Sequence, residues 1–117
     1  MISALQSATS ALQAYGTKIA ANSNNIANSA TPEYRRTRVT LSDTQPTGVK
    51  AAVSKLETKG PEMYEQTTNG LELIEQSNVD LGREFPEMML NAHYYKANLK
   101  TIQTTDELMN SVLDLKA

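Results

Sequence analysis

The chain has 117 residues and a net charge of −2, with 11 basic and 13 acidic side chains, 13 alanines and no cysteine. Disulfide scaffolds, thiol nucleophiles and cysteine-ligated zinc are thereby excluded, and the near-neutral balance argues against a polyanion binder. Leu, Ile, Val and Phe number only 23, so the interior is small, and a partner is expected to complete the apolar surface.

Residues 1–32 contain a single charged side chain, Lys18. Leu5, Ala8, Leu12, Tyr15, Ile19, Asn22 and Ile26 recur in alternating steps of three and four, the spacing of an a/d seam. The spacing predicts a helix from about Ser3 to Asn28, and Thr31-Pro32 ends it because the residue before proline is pushed out of the helical region. Small residues on another face (Ala4, Ser7, Ala11, Ala14, Ala21) allow a second backbone to come close. Met1 to Tyr15 has no Lys or Arg and no compact apolar run, so a cleaved secretory signal is not expected.

Charge returns at Glu33 to Arg38, and turn-rich, β-compatible material follows. Arg38–Leu41 and Val49–Glu57 read as short strands around a turn-rich loop at Ser42–Gly48, and Glu62–Thr67 as a further strand. Lys59-Gly60-Pro61 and Thr68-Asn69-Gly70 punctuate this insert, which is too small to own much of a core.

The C-terminal third repeats the seam. Leu81, Phe85, Met88, Ala92, Tyr95, Leu99, Ile102, Asp106, Met109 and Leu113 step by four and three, with Asp80 a candidate N-cap. Pro86 favours a helix start at residues 84–86, which puts the proline in the first turn. The expected architecture is mainly α with a small β insert, the long terminal helices pairing as a coiled coil. It divides into residues 1–32, 33–79 and 80–117. Leu5, Leu12, Tyr15, Ile19 and Ile26, with Phe85, Met88, Tyr95, Leu99, Ile102, Met109 and Leu113, form the candidate assembly interface. No run reaches the roughly 18 apolar residues of a membrane helix.

Enzymatic constellations are almost absent. His93 is the only histidine, which rules out a multi-histidine metal site, and beside Tyr94 and Tyr95 it reads as an ordinary helix residue. Glu84 and Glu87 read as acidic residues favoured by a helix N-terminus. Arg35, Arg36 and Arg38 form the only basic cluster. It is too small and too poor in aromatics for nucleic acid, and reads as solvated or salt-bridging. No catalytic, cofactor-binding or metal residues are expected. A carboxylate pair suited to glycoside hydrolysis, as in a wall-digesting enzyme, is also missing.

Two segments carry a resemblance. Asn24-Asn25-Ile26-Ala27-Asn28, with Thr31-Pro32, Tyr34 and the following arginines, resembles the N-terminal signature of the flagellar rod and hook proteins. Ser77-Asn78-Val79-Asp80 and the later Ala97-Asn98 resemble that family's C-terminal motif. The short insert is most similar to the small proximal-rod members. The family usually has glycine where Glu33 stands, so a positive φ is not assumed for the turn after Pro32.

The resemblance implies an axial structural subunit of the basal-body rod in the periplasm. It implies export without a cleaved signal through the flagellar type III apparatus, and assembly with other rod proteins and copies of itself through paired terminal helices. A free-standing helical adaptor shares the heptads but not the asparagine-rich signature.

Overall fold

The computed structural model describes residues 1–117. Helix α1 spans Ile2–Ala27, and β1 (Thr37–Asp43) and β2 (Val49–Lys55) form one antiparallel hairpin. A second hairpin, β3 (Glu62–Thr67) with β4 (Gly70–Glu75), follows it, and α2 runs over Leu81–Lys116. The two hairpins are separate two-stranded sheets.

The expected coiled coil is not what forms. The buried positions of α1 are Ala8, Ala11, Ala14, Ala21, Asn22 and Asn25. At about 100° per residue these span an arc of roughly 140°, wider than a two-helix seam. The cause is that α1 is covered twice, by α2 on one side and by the β1–β2 hairpin on another. Alternate residues of β1 (Thr37, Val39, Leu41) turn inward. The loop after β1 is pinned by the Val49 amide donating to Ser10 Oγ at 3.0 Å. The buried apolar residues are all alanines, so close backbone approach replaces the knobs-into-holes packing of large side chains.

In α2 the packed stripe is also out of phase with the predicted seam. Met88, Tyr95 and Ile102 do lie on it, half-buried. The alternating positions, however, are Glu84, Asn91, Asn98 and Thr105, of which Glu84, Asn91 and Thr105 are buried. Phe85, Leu99, Met109 and Leu113 are exposed.

Helix α2 starts at Leu81, earlier than expected. The Asp80 carboxylate accepts the Gly82 amide at 3.0 Å, an N-cap that fixes the start despite Pro86 further in. Strand β4 was not expected from the sequence. At the base of its hairpin Gly60 is required: a Cβ there would sit 2.0 Å from the Gln76 carbonyl oxygen.

The molecule is a rod. Its principal extents are 79 × 24 × 20 Å and its radius of gyration is 20.7 Å, against about 13 Å for a compact domain of this length. The β3–β4 hairpin packs on no other element. At the other end, every α2 residue beyond Thr105 is exposed, because α1 is ten residues shorter (26 against 36) and leaves the last turns of α2 uncovered.

Candidate functional site

The two segments that carry the sequence signatures fold against each other and form one polar joint. Its first part is built on Asn25, which is 1% exposed. Its amide nitrogen donates to the Thr37 carbonyl at 2.8 Å, and its side-chain oxygen accepts both the Thr37 amide at 2.8 Å and the Tyr34 hydroxyl at 3.1 Å. One side chain thus satisfies both backbone groups of the first residue of β1, fixing where the sheet begins relative to the helix. Asn28 donates to the Asn24 carbonyl and accepts from Thr31, finishing α1 without glycine.

The turn that follows has the Tyr34 amide donating to the Thr31 carbonyl. Pro32 and Glu33 are its central residues, and Glu33 has φ 60°. Proline followed by a positive-φ residue is the type II pattern that glycine normally supplies. The sequence left the conformation of this turn open, and Glu33 adopts the positive φ. The strained backbone is held because the Glu33 amide donates to the Glu75 carbonyl at 3.0 Å.

The second part is built on Asn78. Its side-chain oxygen accepts the Arg36 amide, and its nitrogen donates to the carbonyls of Leu56 and Thr58 at 2.9 and 2.8 Å. Buried Ser77 accepts the Val79 amide. Arg35 pairs with Glu75, whose carboxylate also accepts the Gly60 amide. These donors, Arg35 first and then Gly60, hold the Glu75 carboxyl below the usual carboxylate range.

The third part lies between the helices. Glu84 is 0% exposed. Its carboxylate accepts Asn22 Nδ2 at 2.7 Å and pairs with Arg36, which also reaches Glu87 at 3.2 Å. Asn91 then donates to Asn22 at 2.8 Å. The chain Asn91–Asn22–Glu84–Arg36 therefore ties α2, α1 and the entry to β1 together. No buried side-chain nitrogen or oxygen is left without a partner, the condition under which a buried polar network specifies one arrangement.

Of the predicted interface residues, Leu5, Leu12, Tyr15, Ile19 and Ile26 are half-buried on α1, and Tyr15 stacks on Tyr94 with ring centroids 5.2 Å apart. Signature residues Ala27, Thr31, Pro32 and Ala97 are exposed, and Asn98 bonds only to its own helix, at the Tyr94 carbonyl. Sequence reading assigned Glu84 to the helix dipole and missed its burial. The available signal was the polar heptad Glu84, Asn91, Asn98, Thr105 interleaved with Met88, Tyr95 and Ile102. The polar side chains at the centre of the joint are engaged with one another within the chain. His93 lies exposed on α2, and no helix is long and apolar enough to cross a membrane.

Residues 72–115 match the family described as flagellar basal body rod FlgEFG protein C-terminal. Over 66 residues, 56% of this chain, the sequence is 36% identical to the flagellar hook protein FlgE of Salmonella typhimurium and equally to that of Escherichia coli K12, each matched over 16% of its length. It is 44% identical to FlgE of Treponema pallidum over 43 residues, 37% of this chain and 9% of that protein. The chain thus spans about a sixth or less of the length of these curated relatives.

Proposed function

We propose that this chain is a member of the flagellar basal-body rod and hook family and a non-enzymatic axial subunit of the bacterial flagellum. On this reading it assembles with copies of itself and with other rod proteins, it is exported by the flagellar type III apparatus without a cleaved signal, and it passes torque along the periplasmic rod. The small insert places it nearest the proximal-rod subunits, the one designated C among them.

The observation that supports this best is the uncovered end of α2. Leu108, Met109, Val112, Leu113 and Leu115 are all exposed, Leu115 at 88%, in the very segment that matches the family. A contiguous apolar stripe on a thin rod marks a surface that is buried in assembly. The polar joint suits the same role, since force applied at one end reaches the other through fixed hydrogen bonds and not through a loose linker. Basal bodies purified from cells carrying a tagged chain test the reading. The chain should co-purify with them after membrane removal; its absence from them, with normal cellular levels, would overturn it.

A further inference from the structure

A cleft of about 380 Å³ opens where α1, β1 and α2 meet, lined by Lys18, Arg36, Arg38 and Arg83, with Val39 and Leu56 between them. Its one carboxylate, Glu87, is already engaged by Arg36. Lys18, Arg38 and Arg83 make no ion pair within the chain.

The opposite imbalance exists at the far hairpin. Glu65 stands directly across from Glu72 in the β3–β4 register, next to the Met63–Ile74 pair on the same face. Like charges directly opposite weaken a sheet, and a lone two-stranded hairpin is marginal in water. The other facing pair, Glu62 with Glu75, is relieved by Arg35. Glu65 receives only a neutral hydrogen bond from Gln76, and Glu72 has no cation partner. Because the hairpin packs on no other element, its own cleft does not supply one.

We propose that the Glu65–Glu72 face of one copy's β3–β4 hairpin seats in the Lys18–Arg38–Arg83 cleft of a second copy, with Met63 and Ile74 against Val39 and Leu56. The charges, the apolar residues beside them and the free projection of the hairpin all suit this occupant. The contact is heterologous, hairpin to cleft, so each copy keeps one free hairpin and one free cleft and the contact propagates. The proposal rests on the axial-subunit reading and specifies one of its contacts.

Full-length chains carrying either Glu65→Lys with Glu72→Lys, or Arg38→Glu with Arg83→Glu, test it by sedimentation. All four sites are exposed, and circular dichroism verifies that both variants fold. The wild-type chain should self-associate in a salt-sensitive way. Each variant alone should associate about tenfold more weakly or worse. An equimolar mixture of the two should recover association, since each reversed hairpin then meets a reversed cleft. A monomeric wild type, variants that associate like wild type, or a mixture that fails to recover would each overturn the contact. None of these results bears on whether the chain is found in basal bodies, so the axial reading stands or falls separately.

Discussion

The Glu84 carboxylate, fully buried on α2, accepts a hydrogen bond from Asn22 of α1 at 2.7 Å. With Arg36 on its other oxygen, the group is paired and hydrogen-bonded, the condition under which a buried charge is tolerated. The residues that meet there come from both ends of the sequence, so the two signatures form a single joint in space.

Removing one member should be costly. Glu84→Ala leaves Arg36 largely buried without its main partner, and the expected loss is about 3–5 kcal/mol. Urea unfolding measures it. A loss below about 1 kcal/mol would mean that the helices are held by their alanine contacts and not by the joint.

Glu33→Gly should stabilise the chain. Its φ of 60° costs a non-glycine residue on the order of 1–3 kcal/mol, partly offset by the greater freedom of glycine when unfolded. A gain of about 1 kcal/mol and a raised Tm are expected. A lowered Tm would show that the Glu33 side chain contributes more than its backbone costs.

Glu75 gives the base of the second hairpin a pH dependence. Its carboxyl is held low by Arg35 and the Gly60 amide, so its folded-state pKa lies below its unfolded value. The stabilisation is full above the unfolded pKa and is lost as pH falls through the depressed folded one. Hydrogen exchange at the Gly60 amide should accelerate in that acid range relative to the Thr40 amide, which faces Ala52 in the β1–β2 ladder, after correction for intrinsic rates, and Glu75→Gln should remove the difference. Parallel behaviour of the two amides in the wild type would contradict this.

Residues 107–117 should be dispensable for folding and essential for assembly. They are exposed throughout, so deleting them should change unfolding free energy by less than about 1 kcal/mol. Incorporation into basal bodies should nevertheless fail. Normal incorporation of the shortened chain would remove the uncovered stripe as an assembly surface.

Both helices were legible from period alone, because three- and four-residue steps survive whichever face is packed. The phase of α2 was not. A count of apolar residues selects Leu81, Phe85 and Leu99, but the intramolecular contact uses Glu84, Asn91 and Thr105. The apolar side chains remain for other surfaces, and only the tertiary partners Asn22 and Arg36 make the polar choice affordable. The Asn-rich end of α1 stood out as a motif, but its chemistry needed the fold: Asn25 reaches across to Thr37, a residue the linear sequence does not mark. Strand β4 was missed because Leu71, Leu73 and Ile74 do not alternate cleanly and the hairpin has no core to impose a pattern.

The central claim is that this chain is an axial subunit of the flagellum. Electron cryomicroscopy of basal bodies from cells lacking it, and from the same cells with the chain restored, tests that most directly. The account predicts rods that are missing or interrupted without the chain and complete on its return. Complete rods of normal length in its absence would contradict it.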